Sequence, residues 1–294
     1  MPVGAIEAGG TKFVLALASA EGAILDRHRI DTRTPQETFA ETRGWFEAAA
    51  ARHGPITAFG IGSFGPIGID PARPDYATIT TTPKPHWSGA SFRDVLDPFG
   101  VPLSLDTDVN AAALGEWLAG AGRGCASLAY TTIGTGIGTG VLKNGTALSG
   151  WSHYESGHLM VRRDPKRDPF AGKCPYHGDC LEGLACGPAI KARWGHDLSA
   201  ASADQIALIA DYAAQLAVSL VLLHRPERLI FGGGVMKAAG MITQVRAQTR
   251  ARLAGYIAEW DEDLTPRIVE PGLGDDAGIT GAIELARRAA LGSR

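Results

Sequence analysis

The sequence predicts an α/β protein built in two similarly organised halves. Three observations carry this. Short apolar runs at residues 3–6 and 13–18 flank a glycine-rich turn, which reads as a hairpin. Runs at residues 127–133 and 140–142 flank a second such turn. After each hairpin, helical and extended segments alternate. No close sequence repeat accompanies this similarity of order. A length of 294 residues suits two domains of ordinary size.

The elements follow in order. A third extended segment lies around residues 24–30. Residues 35–52 read as a helix, with Thr34 as its cap and Pro35 at the first helical position. Phe39 and Phe46 are two turns apart and share a face, with Trp45 beside them. Residues 56–61 read as a strand ending at Gly62-Ser63-Phe64-Gly65-Pro66. Residues 101–105 read as another, ending at Asp106-Thr107-Asp108, and residues 110–118 as a helix. The Gly/Ala-rich stretch 119–124 marks the boundary. Past the second hairpin, residues 145–183 are dense in Gly, Pro, His and Cys and read as a long loop. Helices follow at 188–194 and 203–223, and a strand at 228–231 runs into Gly232-Gly233-Gly234. A last helix covers 278–290. The expected division is residues 1–118 as one domain, with the C-terminal segment 279–294 packing back on it, and 119–278 as the other.

A formal charge of -3 and the lack of a long basic run remove the electrostatic case for nucleic acid or an acidic membrane. The N-terminus lacks a basic and an apolar signal region, and no apolar run reads as a bilayer span. The expected location is the cytoplasm.

In such a chain, clustered cysteines read as metal ligands before disulfides. Cys174, His177 and Cys180 have Cys-x2-His-x2-Cys spacing, which lets one loop wrap a zinc ion. His158 is the best fourth ligand and His153 the reserve. Such a fully ligated site is structural. Cys125 and Cys186 lie outside the motif and read as buried small side chains.

Glu7-Ala8-Gly9-Gly10-Thr11-Lys12 suits a phosphate cradle: the glycines admit close backbone approach, Thr11 adds a donor and Lys12 a charge. Glu7, at a strand end, is placed to hold Mg²⁺. Taken alone, this segment reads as a plain hairpin turn in preference to a phosphate cradle. The Gly/Thr turn from Thr131 to Gly140, with Thr132, Gly134, Thr135 and Gly136, suits phosphate better. Its glycine spacing is neither a dinucleotide fingerprint nor a Walker A loop. Gly232, Gly233 and Gly234 suit an approach to adenine or ribose, or a plain strand-to-helix turn. Asp106 and Asp108 both stand at a strand end, where a carboxylate can take a proton from an attacking hydroxyl. Helix capping is the competing role for Asp108.

These segments together, with Thr82-Pro83-Lys84-Pro85 and Glu155-Ser156-Gly157-His158, span nearly the whole chain. They resemble the ROK (repressor, ORF, kinase) family of sugar kinases, and its fructokinase branch in particular. The resemblance implies an actin- and hexokinase-like fold of two ribonuclease-H-like lobes around a cleft. It implies ATP-dependent phosphorylation of a hexose, fructose first, with Mg²⁺ and zinc as cofactors. It makes Asp108 the base, because the family's Asn-Asp-x-Asn segment falls on Thr107-Asp108-Val109-Asn110. Thr107 departs from that pattern and tilts the substrate away from glucose. The implied sugar contacts are Gly65, Asn110, Glu155, His158 and Glu182. The implied nucleotide contacts are Gly9, Gly10, Thr11, Lys12, Thr132, Gly134, Thr135, Gly136, Pro188, Gly232, Gly233 and Gly234. The zinc loop would brace Glu182. A homodimer is implied as well. A kinase for glucose, mannose or an N-acetylhexosamine, and a sugar sensor without turnover, are the alternatives.

Overall fold

The computed structural model describes residues 1–292, so the last two positions of the expected 279–294 segment lie outside the described residues. The strands are β1 (Val3–Ala8), β2 (Lys12–Ala18), β3 (Ile24–Asp31), β4 (Phe59–Ser63), β5 (Leu103–Thr107), β6 (Ser127–Ile133), β7 (Ile137–Lys143), β8 (Thr146–Ala147), β9 (Arg228–Gly232) and β10 (Ile268–Val269). The helices are α1 (Pro35–His53), α2 (Arg93–Leu96), α3 (Asp108–Ala119), α4 (Leu181–Ala185), α5 (Gly187–Trp194), α6 (Ala203–His224), α7 (Met241–Leu253) and α8 (Ala277–Ala290). The chain forms two compact units. The first comprises Met1–Leu118, Ala147–His153 and the segment from Asp275 onward; the second comprises Ala119–Thr146 and Tyr154–Gly274.

In the first unit the sheet order is β3-β2-β1-β4-β5. β2 is antiparallel to β1 and β3, while β4 and β5 continue parallel from β1. Successive strand side chains point to opposite faces. Val3 and Ala5 of β1 and Val14 and Ala16 of β2 therefore face one layer, and Ile6, Phe13, Leu15 and Leu17 the other. The second face is covered by α1 and the following loops, with Phe46, Trp87 and Phe92 wholly buried. Thr34 and Glu37 form a reciprocal capping box at the start of α1.

The first face is covered by α8, and here the residues are small. A Cβ on Gly60 would stand 2.0 Å from the Ala282 carbonyl oxygen, and one on Gly281 would stand 1.7 Å from that of Ala111. Glycine at both positions lets α8 lie directly against β4 and α3.

The second unit repeats the plan: order β10-β9-β6-β7-β8, with β7 antiparallel to β6 and β9 and β10 parallel. Its helix α6 opens on a Ser202–Gln205 capping box. Of the described helices, α6 has the length and apolarity to cross a membrane, yet Ile209, Ala213, Leu216 and Val221 are buried inside the fold.

Several boundaries move from the sequence expectation. β5 starts at Leu103 because Pro102 has no N–H to give to a ladder. The helix expected from residue 110 begins at Asp108, because the Thr107 hydroxyl accepts the Asn110 N–H at 3.2 Å. The expected loop 145–183 ends early in α4, whose Asn-like cap is the Cys180 sulfur, accepting from the Gly183 N–H at 3.5 Å. The helix implied after the turn at residues 232–234 is α7, whose bounds the sequence does not mark. It starts after Gly240 without a side-chain cap, and its buried stripe is Met241, Val245, Thr249 and Leu253. The polar Thr249 interrupts the apolar signal.

Gly281→Ala should therefore destabilise the fold by about 1–3 kcal/mol or more, because backbone has to move. Gly44→Ala, at an exposed α1 position with open space around it, should instead stabilise by about 0.5–1 kcal/mol. Urea unfolding of both variants checks the pair.

Candidate functional site

In the first unit the alternation of β1 puts Glu7 on the same face as Val3 and Ala5, toward α8. The carboxylate meets the first turn of that helix: a Cβ on Gly278 would lie 2.6 Å from Glu7 Cδ. Burial pushes the Glu7 carboxyl up to about 7; Lys12 opposes this, while Asp108 and Asp275 add to it. Its Oε2 is buried without a hydrogen-bond partner. A hard cation suits such an oxygen, so the residue fits Mg²⁺. The neighbouring turn is tight: the Gly9 N–H donates to the Lys12 carbonyl at 2.9 Å, and Thr32 Oγ1 donates to the Gly9 carbonyl at 2.7 Å. Gly10 has open space around it and Thr11 is exposed.

The end of β5 separates the two aspartates that the sequence left in competition. Asp106 is half-buried, like Asp108. Its Oδ1 accepts from the Asn110 amide at 2.6 Å and from the Thr107 N–H at 2.8 Å. Burial raises its pKa, and these two bonds work against that rise. Asp108 is half-buried at the first position of α3, where Oδ1 accepts the Val109 N–H at 2.9 Å. The capping role passes to Thr107. The turn bearing Gly65, whose peptide bond to Pro66 is cis, belongs to this unit too. His153 sits beside that turn and bonds to Ile67.

In the second unit the Gly/Thr turn joins β6 to β7. Thr131 and Thr139 are buried and share a 2.9 Å hydrogen bond, whereas Thr132 is half-buried and Thr135 exposed. The Gly134 carbonyl accepts the Gly187 N–H at 2.7 Å, which brings the start of α5, and with it Pro188, to this turn. Glu182 reaches the turn from α4, its Oε2 accepting the Ile137 N–H at 2.8 Å. That contact had no local sequence signal. After β9, Gly233 has φ 91° and its Cα approaches so closely that a Cβ would stand 2.4 Å from the Ile133 carbonyl oxygen. Glycine is required there. Gly234 has open space.

His158, Cys174, His177 and Cys180 converge, their ligand atoms all within 4.8 Å of one another. The sulfur of Cys174 is 3.7 Å from Nδ1 of both histidines, and that of Cys180 is 3.5 Å from His158 Nδ1. A tetrahedral zinc ion with ordinary bond lengths has S···N edges of about 3.5 Å. The donor set and its spacing are compatible with zinc. Burial raises the Cys180 thiol to about 11, so a nearby cation is needed to hold it as thiolate. Glu155 immediately precedes the single helical turn that carries His158.

A buried clasp near this cluster escaped the sequence reading. Asp168 accepts from Arg193 Nε at 3.1 Å, Arg193 Nη2 at 3.0 Å and the Tyr212 hydroxyl at 2.7 Å. Arg163 donates to the Phe170 carbonyl at 2.9 Å and pairs with Asp179 at 3.2 Å. The loop between His158 and Cys180 is thereby tied to α5 and α6.

The ROK family profile matches residues 3–289. The chain belongs to the ROK family. Among ROK relatives, it is 44% identical to the fructokinase of Zymomonas mobilis, covering 96% of this chain and 95% of that one. It is 42% identical to the fructokinase of Pediococcus pentosaceus, covering 98% and 99%. In structure it is similar to the ROK hexokinase from Thermus thermophilus (TM-score 0.76, 27% identity, 97% and 98% covered). It is also similar to a ROK family glucokinase from Streptomyces griseus solved with glucose and AMPPNP (TM-score 0.73, 26% identity, 98% and 100% covered). The two mixed sheets with helices are thus the ROK hexokinase-like fold that the sequence resemblance implied.

The raised Glu7 pKa has a consequence for metal-free protein. A carboxyl raised from 4.5 to about 7 on folding contributes its full stability below about pH 4.5 and loses it as pH rises through 7, by on the order of 3 kcal/mol. Urea unfolding of wild type in chelator should show this decline between pH 5 and 8, and Glu7→Gln should flatten it. An identical slope in the variant contradicts the assignment to Glu7.

Proposed function

We propose that this chain transfers the γ-phosphoryl group of ATP to a hexose hydroxyl, converting D-fructose to fructose 6-phosphate. The observation that carries the reading is the 42–44% identity to fructokinases over nearly the full length. Identity to the glucose-bound neighbour is 26%, which favours fructose over the glucose, mannose and N-acetylhexosamine alternatives. A half-buried carboxylate at the β5–α3 junction supports turnover over mere sugar sensing.

In this reading the first unit carries the base with part of the sugar and phosphate contacts, and the second carries the other contacts to both and the zinc loop. Asp108 accepts the proton of the attacking hydroxyl as its oxygen bonds to the γ-phosphorus and the bond to the ADP oxygen breaks. Asn110, held by Asp106, contacts the sugar, together with Gly65, Glu155, His158 and Glu182. The backbone of Gly9, Gly10, Gly134 and Gly136, with Thr11, Lys12, Thr132 and Thr135, holds the phosphates. Pro188 and Gly232 to Gly234 border the base and ribose. Glu7 would hold Mg²⁺, which when bound neutralises phosphate charge. His158, Cys174, His177 and Cys180 would hold zinc, which when bound fixes the loop ahead of α4 and Glu182. A cytoplasmic homodimer goes with this reading.

Two experiments test it. Against a panel of hexoses with ATP, wild type should prefer fructose, and Asp108→Asn should lower kcat by about 10²–10⁴-fold with the fold intact. A wild type that phosphorylates no hexose, or a fully active variant, overturns the reading. Metal analysis should find zinc in wild type and its loss in His177→Ala; unchanged zinc content rejects the ligand set.

A further inference from the structure

Ile67 is buried, so its backbone N–H needs a partner. The partner is not a neighbouring strand but an imidazole 86 residues away: the N–H donates to His153 Nε2 at 3.1 Å. A ring that accepts at Nε2 is neutral and carries its proton on Nδ1. The same ring lies against the glycine of the preceding turn, since a Cβ on Gly65 would be 3.5 Å from both Cε1 and Nε2. The ring is also a neighbour of Asp106, near enough that its protonated form would lower that carboxyl's pKa, and Asp106 is the group that holds the Asn110 amide. One imidazole therefore faces both segments of the first unit given sugar contacts, the turn at residues 65–67 and the β5–α3 junction. Its neighbour Trp151 is 86% exposed, with the Arg73 guanidinium 4.7 Å from its ring centroid.

We infer that His153 is a positioning residue for the sugar, fixing the turn at residues 65–67 through its bond to the Ile67 N–H. The inference rests on the hexose-kinase reading and adds a specific role within it. His153 touches no reacting atom in this account. Its loss leaves the Ile67 N–H without its acceptor and lets the Gly65 backbone drift from the geometry the sugar needs, while the phosphate-holding turns are unaffected.

The test compares His153→Ala with His153→Gln, whose amide oxygen can accept the same N–H. His153→Ala should raise the KM for fructose roughly tenfold, with kcat and the KM for ATP held within about twofold. His153→Gln should recover most of the lost affinity. Histidine ¹⁵N spectra of wild type should report His153 as the neutral tautomer protonated on Nδ1. An unchanged fructose KM in His153→Ala overturns the role, as does an equal rise in the KM for ATP. A glutamine variant no better than alanine, or an Nε2-protonated ring, also overturns it. Should the alanine variant not fold, the glutamine variant and the tautomer decide the matter. A wild type inactive on every hexose defeats the underlying kinase reading instead, and the spectrum then reports on the hydrogen bond by itself.

Discussion

The β5–α3 junction of the first unit depends on one hydrogen bond, from the Asn110 amide to the half-buried carboxylate of Asp106. It ties the first turn of α3 to the end of β5 across four residues. The Thr107 hydroxyl completes the junction by capping the helix. With both in place the chain leaves the sheet with Asp108 at the first helical position, its carboxylate half-buried and near Glu7. Two aspartates two residues apart thus take different work from their surroundings. Both are half-buried, but Asp106 holds the Asn110 amide and the Thr107 N–H, whereas Asp108 accepts the Val109 N–H. Environment rather than residue type separates such pairs.

The same sheet order serves twice, and what differs is the material inserted between strands. In the first unit the insert between β4 and β5 is stabilised by aromatic packing, with Trp87 near Phe13 and Phe39 at ring separations of 5.6 and 5.4 Å. In the second unit the long segment before α4 has little apolar content of its own. It is held by polar devices: the histidine–cysteine cluster at one place and the Asp168–Arg193–Tyr212 clasp at another. A buried ion pair of this kind is weak as a source of net stability but costly to break on one side. Its effect here is to give the loop a single path between His158 and Cys180. Close glycine contacts reinforce this, since a Cβ on Gly183 would stand 2.0 Å from the Gly178 carbonyl oxygen.

Much of the fold was legible because its signals are local. The Thr34 cap, the two hairpins and the 22-residue α6 all follow from short-range pattern. The metal cluster was legible too, as three of its members share one loop and His158 was the best remaining donor. The bounds of α7 were hidden by an uncapped start and a buried Thr249 in its stripe. The Asp168 clasp, the Glu182 bond to the Ile137 N–H and the His153 bond to the Ile67 N–H were hidden for another reason. Each joins residues tens of positions apart, and no spacing rule points from one to the other. Residue type alone left Asp106 and Asp108 level and only the family resemblance favoured Asp108; the bond from the Asn110 amide to Asp106 is the contact that sets the two apart in the structure.

The most direct measurement is a side-by-side kinetic comparison of Asp106→Asn and Asp108→Asn with fructose and ATP. If Asp106 holds Asn110 and Asp108 takes the proton, the first variant should lose mainly fructose affinity and the second mainly kcat. A larger fall in kcat for Asp106→Asn than for Asp108→Asn would contradict the assignment of the base.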